Sequence, residues 1–262
     1  MYYEDLKGKH AIVTGAAQGI GKATAKTLAE QGIHLALCDK NERNLAGTVE
    51  ELKRYPVTVI PLVVDISKSA EVASAVAACV EAFGCIDILM NCAGISIEAT
   101  IVETTEEIWD KTIDVNLKGV FLCCREVATH MIKNKIPGKI VTVSSQAAKT
   151  GEHSFGAYGC SKAGITALTQ ALSLEVAKYG INVNAVCPGF INTDMLWNEF
   201  RYHGPREGMT PEEYKNRLCS DIPLGRMGEP EEIGALMAFL ASQASNYITG
   251  VSITIAGGTM LI

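Results

Sequence analysis

The chain has 262 residues, 48% of them hydrophobic and 20% charged, and its 23 basic and 29 acidic side chains leave a net charge of −6. That much apolar material supports a continuous core and excludes a disordered chain, and an acidic balance with no basic run argues against nucleic acid as a partner, because neutralising phosphates takes clustered Lys and Arg. The nine cysteines form no C-x-x-C pair and no zinc-type spacing with histidine, the start MYYEDLKGKH has no signal-peptide core, and no run is long enough to span a membrane; a cytoplasmic, metal-free protein with reduced thiols is expected.

An apolar run at 10–14 is the first predicted strand, and a helical pattern over 20–31 follows it. Between them lies Thr14-Gly15-Ala16-Ala17-Gln18-Gly19-Ile20-Gly21. Gly15 lets the chain turn off the strand, Gly19 leaves room for a pyrophosphate against bare backbone, and Gly21 lets the helix press close to the sheet. The free amides at the helix start then face the anion. The spacing is G-x-x-x-G-x-G rather than G-x-G-x-x-G, so the glycines alone also fit a turn without a ligand.

The second strand, 35–39, ends in Asp39, where a carboxylate can accept hydrogen bonds from ribose hydroxyls and repel a 2′-phosphate. NAD is therefore expected over NADP, although adjacent Lys40 leaves some ambiguity. Further strands are predicted at 57–64, 86–91, 139–144, 182–187 and 251–255, alternating with helices at 41–54, 69–83, 105–133, 157–179 and 229–242. The strands read as unbroken apolar runs, the pattern of a parallel sheet covered on both faces. The expected fold is α/β, a single Rossmann-type doubly wound domain over 1–262, with a seven-stranded mostly parallel sheet and helices on both faces. The stretch 189–228 lacks clear periodicity apart from a short helix around 211–219, and is expected to be a substrate-binding lid.

Tyr158 and Lys162 lie four apart at the start of a predicted helix, so phenol and ammonium share a face. A nearby cation favours tyrosinate and is expected to lower the phenol pKa toward neutrality. Ser145, thirteen residues earlier, ends the preceding strand on the side where a cofactor should lie. Taken singly, Y-x-x-x-K is an ordinary helix face, and Asn116 a satisfied buried amide.

Together TGAAQGIG, Asp39, Asp65-Ile66, NCAG at 91–94, Asn116, Ser145, YGCSK at 158–162 and PGFINT at 188–193 resemble, in order and spacing, the motif set of the short-chain dehydrogenase/reductase family across essentially the whole chain. The resemblance implies an NAD(P)-dependent oxidoreductase, usually a homotetramer packed through its two long helices and its C-terminal segment. It makes Tyr158 the general base in alcohol oxidation and the general acid in carbonyl reduction. Lys162 would bind the nicotinamide ribose and depress the Tyr158 pKa, Ser145 would hydrogen-bond the substrate oxygen, and Asn116 would hold a water linking Lys162 to solvent. Gly15, Gln18, Gly19, Ile20 and Gly21 would cradle the pyrophosphate, Asp39 the ribose, and Asp65 and Ile66 the adenine. Asn91 would steady the sheet beside Ala93 and Gly94, and Pro188, Gly189, Ile191 and Thr193 would border the nicotinamide. Cys92 stands where the family has a second Asn, and Ala256 where an Asp commonly precedes the paired glycines Gly257 and Gly258.

Residues 145–152 also resemble the stretch found in the family's polyol and sugar-alcohol members. Gln146, Glu152 and His153 suit hydroxyl recognition. Trp197, joined by Phe200 and Tyr202, could equally wall an apolar carbonyl substrate such as a steroid or acyl chain. A polyol or other hydroxylated small molecule is expected first, a 3-oxoacyl or steroid-type carbonyl second, and a non-catalytic NAD-binding sensor or scaffold is the remote alternative. Arg201 and Arg206 fit either anion recognition or simple solvation.

Overall fold

A computed structural model describes residues 3–261. Seven strands form one parallel sheet: β1 (His10–Thr14), β2 (His34–Asp39), β3 (Val59–Val63), β4 (Ile88–Asn91), β5 (Lys139–Val143), β6 (Asn182–Pro188) and β7 (Ser252–Ile255), in the order β3-β2-β1-β4-β5-β6-β7. The chain builds outward from β1 to β3, then returns to place β4 on the other side of β1. The carboxyl ends of β1 and β4 therefore flank the crevice where the winding reverses, the usual ligand position in such sheets.

The helices are α1 (Gly19–Glu30), α2 (Glu42–Leu52), α3 (Ser69–Phe83), α4 (Glu106–Ile113), α5 (Gly119–Asn134), α6 (Gly156–Val176), α7 (Asp194–Arg206), α8 (Pro211–Ser220) and α9 (Pro230–Ala241). One core joins the sheet to α1, α2 and α9 through Leu28, Leu45, Leu52, Ile233 and Met237; the opposite core joins it to α3, α5 and α6 through Val72, Cys79, Val127 and Ile165. The expected doubly wound α/β sheet is thus present, and every strand pair is parallel.

Three local departures from the expected elements have physical causes. The apolar run of β3 is half exposed, because it is an edge strand; Pro61 pairs there with Leu37, on the side where its missing N–H costs no ladder bond. The pattern expected as one helix over 105–133 is interrupted between α4 and α5 by a π-helical turn at Asp114–Lys118, which contains Asn116. The segment between β6 and α9 holds two helices where one was expected. Leu196, Phe200 and Gly204 recur every fourth residue as the buried stripe of α7, and Phe200 with Leu196 and Met227 makes a small core of its own. Met, Trp, Gly and Pro205 around that stripe obscure its period.

Candidate active site

Gly15 adopts φ +66°, and a Cβ there would lie 2.7 Å from the backbone of Ala93. The turn after β1 therefore packs directly on the chain leaving β4, and Thr14 Oγ1 ties the two by accepting from the N–H groups of Cys92 (3.2 Å) and Ala93 (3.3 Å). A Cβ on Gly21 would sit 2.1 Å from the carbonyl oxygen of Gly15, so only hydrogen lets α1 start this close to the turn. Gln18 precedes α1 without capping it through its side chain. The first helical amides thus lack an acceptor from the chain and point where an anion would sit. These residues fit a dinucleotide: a cradle that a Cβ would fill, at the positive end of a three-turn helix.

Asp39 closes the same turn from the β2 side, accepting from Ala17 N–H (3.1 Å) and Asn41 N–H (2.9 Å), one bond per carboxylate oxygen. Each oxygen keeps a further lone pair, so fixing the turn and accepting a ribose hydroxyl are compatible. Asp65 accepts from the N–H (3.0 Å) and hydroxyl (2.7 Å) of Ser67, and the Ser67 hydroxyl holds its carboxyl below the usual range. Ile66 is buried against Gly119. Asn91 donates to Thr142 Oγ1 (3.2 Å) and Cys124 Sγ (3.3 Å) and so braces β4 against β5 and α5.

At the carboxyl ends of β4, β5 and β6 lies a cavity of about 190 Å³ that brings Ser145, Tyr158 and Lys162 together with Ile20, Gly94, Pro188, Gly189, Ile191 and Thr193. Ser145 lies close enough to Tyr158 for its side chain to favour the tyrosinate. The Ser145 hydroxyl accepts from Ala147 N–H (3.1 Å). Lys162 is buried; its Nζ donates to Val143 O (2.9 Å) and stands 5.5 Å from the Tyr158 ring centre. Burial pulls the Lys162 ammonium down to about 8.

The Tyr158 phenol goes against expectation: burial pushes it up to about 12, helped by the nearby carboxylates Glu152 and Glu199, with only the Ser145 side chain opposing. Loss of water around the phenol outweighs the cation four residues on, whose own ammonium burial has brought down to about 8. Asn116 is likewise more committed than a relay residue needs to be. Its amide accepts from Ile95 N–H (2.8 Å) and donates to Ile95 O (2.9 Å) and Ser161 Oγ (3.1 Å). What remains open is the Gly94 corner, where an added Cβ would be 3.4 Å from both Asn116 Oδ1 and Lys162 Nζ.

Of the expected substrate residues, Gln146 and Glu152 line the cavity and bond to each other (3.1 Å). Gln146 is also fixed by Thr259, whose hydroxyl donates to its Oε1 (3.1 Å). Trp197 is not in this cavity. Its indole N–H is held by Asn192 Oδ1 (2.8 Å), and the residue borders a separate opening over Gly19 and Lys22. Phe200 is wholly buried in the core of α7 and α8, Tyr202 is half exposed under Arg206, and His153 is exposed. The walls are instead Phe155, Phe190, Met195 and Leu196, with Ser96 and Glu199 at the outer end. Sequence reasoning passed over Glu199; the signal was present in Met195 and Glu199, four apart and so on one face of α7.

Among known families, the matching model is the one described as enoyl-(acyl carrier protein) reductase, over residues 15–260. The 3-oxoacyl-(acyl-carrier-protein) reductase FabG of Thermotoga maritima is 40% identical over 256 residues, 98% of this chain and 99% of that protein. The (2S)-((R)-hydroxy(phenyl)methyl)succinyl-CoA dehydrogenase subunit BbsD of Thauera aromatica is 38% identical over 98% of each. Among solved structures, a variant of actinorhodin polyketide ketoreductase with NADPH superposes with a TM-score of 0.92 at 32% identity, covering 96% of this chain and 97% of that one. With likeness of that extent on top of a glycine cradle and a Ser-Tyr-Lys cavity at the switch point, the chain belongs to the short-chain dehydrogenase/reductase family of oxidoreductases.

Proposed function

We propose that the protein transfers a hydride between NAD and a secondary alcohol or ketone, the substrate being a hydroxylated small molecule. The observation carrying this reading is the convergence of Ser145, Tyr158 and Lys162 on one cavity that Ile20 of the glycine turn also lines. When bound, the nicotinamide supplies the hydride acceptor in oxidation and the donor in reduction. In oxidation Tyr158 Oη takes the substrate hydroxyl proton as the C–H bond gives up its electron pair; in reduction it returns the proton to the new alkoxide. Ser145 donates to the reacting oxygen and stabilises the charge that develops there. Lys162 holds the ribose and supplies positive charge behind the phenol, and Asn116 sets the corner through which a proton reaches solvent. Gln146 and Glu152 select hydroxyls.

Asp39 supports NAD, since a second anion beside its carboxylate would be repelled. NADP is the competing reading, favoured by the ketoreductase structure with NADPH. A 3-oxoacyl substrate is the competing reading at the other end, favoured by FabG and by the apolar wall of Phe155, Phe190, Met195 and Leu196. The segment at 189–228 acts as the lid in either case. Free cysteines throughout, Cys38 and Cys79 among them, support a cytoplasmic setting, and exposed apolar side chains on α5 and α6 support a homotetramer.

The test follows absorbance at the reduced-nicotinamide band across polyols, secondary alcohols and 3-oxoacyl thioesters, with NAD and NADP in parallel. Turnover of a hydroxylated substrate with NAD at least tenfold better than with NADP is expected, and Tyr158→Phe should lower kcat/KM by ~100-fold or more. Unchanged turnover in Tyr158→Phe would remove the catalytic assignment, and preference for NADP would remove the cofactor assignment.

A further inference from the structure

Beyond Tyr158 the cavity carries an unusual charge arrangement. Glu152 and Glu199 both line it, and Lys162, bonded to Val143 O on the floor, is the only Lys or Arg among the described residues that do so. Their polar neighbours are neutral: Gln146 Nε2 donates to Glu152 (3.1 Å), and Ser96 lines the cavity beside Glu199. The third nearby carboxylate, Glu98, is different, being paired with His203 Nε2 at 2.8 Å. His203 lies one helical turn beyond Glu199 on α7 and is held by stacking on Tyr214 (5.8 Å). The histidine gives Glu98 a ring-nitrogen partner, while Glu152 and Glu199 face the cavity.

We infer that Glu199 and Glu152 form a cation subsite within the substrate cavity, and that the preferred substrates are secondary alcohols or ketones bearing a protonated amine a few bonds from the reacting carbon. This deepens the proposed oxidoreductase reading and rests on it. Two partly buried carboxylates with only neutral partners are a desolvation cost that a ligand ammonium offsets, since each then gains a charge-assisted hydrogen bond in a medium of low dielectric. A ligand carboxylate at the same position meets two like charges. The titration behaviour agrees. Glu199 is pushed up to about 7, by burial first and then by the charges of Glu98 and Glu152, and Glu152 is raised by burial. Tyr158 feels both of these carboxylates, so a cation between them also relieves the smaller, electrostatic part of what holds the phenol high, burial being the larger.

Three probes sharing a three-carbon skeleton with the alcohol at the central carbon test this: 1-amino-2-propanol, 1,2-propanediol and lactate. Their kcat/KM values with NAD, and their affinities for the enzyme–NAD complex by calorimetry, are expected to fall in the order amine, diol, acid, with roughly tenfold between amine and diol at pH 8. Glu199→Gln should reduce the amine-to-diol ratio about tenfold, while Glu199→Asp, which keeps the charge, retains most of it. The ratio should also fall between pH 8 and pH 6 as Glu199 takes up its proton. Over that range Glu98, Glu152, Tyr158 and His203 face it, and His203 remains a neighbour of Glu98 rather than of the cavity. A preference for diol or lactate, or an amine-to-diol ratio that Glu199→Gln leaves unchanged, would overturn the subsite. Amine-selective binding without hydride transfer to any probe would instead overturn the oxidoreductase reading and leave the subsite standing.

Discussion

Glu199 costs the folded protein stability whenever it ionises, because its carboxyl is pushed from 4.5 to about 7 by burial and by two neighbouring carboxylates. A raised carboxyl pKa means that the folded state holds its proton more tightly than the unfolded chain does; the stability this supplies is complete below pH about 4.5 and is lost as pH rises through about 7. Glu199→Gln removes the group that ionises. Its melting temperature is therefore expected to exceed the parent's at pH 8, by roughly 1–2 kcal/mol of stability after allowance for solvent screening, and to converge with the parent's near pH 4.5. Scanning calorimetry at the two pH values checks this, and a variant no more stable than the parent at pH 8 contradicts it. Residues of this kind are where the sequence was least legible. Ser145, Tyr158 and Lys162 stood out through a strand end and one helical turn read together with the ordered family motifs, since the tyrosine–lysine spacing taken singly is an ordinary helix face. Glu199 did not, since its importance comes from Ser96 and Glu98 on another loop. The Tyr158 phenol rises rather than falls for a related reason: spacing shows that a lysine is near but not how deeply the phenol is buried.

At the scale of elements, the junction of β1, its glycine turn and α1 shows how local sequence and tertiary contact reinforce each other. Gly15 needs a positive φ to leave the strand, and it also needs to be bare because Ala93 lies against it. Gly15→Ala is expected to lower stability by ~1–3 kcal/mol and to weaken NADH binding, as the turn moves off the β4 segment to relieve a 2.7 Å approach. Thermal melts and nicotinamide fluorescence titration measure the two effects, and wild-type values in both would show that the turn tolerates a methyl group. This junction was fully legible, as were all seven strands to within a residue or two. The π-helical turn at Asn116 was not, because an amphipathic pattern from 105 to 133 carries no mark of one inserted residue; the cause lies in the bonds Asn116 makes to Ile95 and Ser161. Helix α7 was missed because its buried stripe serves a small separate core under Phe200 rather than the main one.

At the scale of the whole molecule, large apolar side chains stand exposed on the helical layer. The long helices α5 and α6 present Phe121, 42% exposed, and Leu174, 83% exposed, on the outer side of the layer that covers the sheet. Apolar side chains this exposed on a well-packed helical layer fit contact between copies. Light scattering is expected to give a mass four times 28.0 kDa, and Leu174→Glu should shift the population to smaller species with little change in the secondary structure seen by circular dichroism. A monomeric parent would contradict this. Within one copy a different contact, the hydrogen bond from Thr259 to Gln146, spans 113 positions of chain. During synthesis the ribosome must add all of those residues after Gln146 before the wall of the cavity acquires its last support. The cavity is thus walled by residues far upstream and steadied from beyond the last strand, so that β7, docked beside β6, connects the end of the described chain to the substrate side of the site.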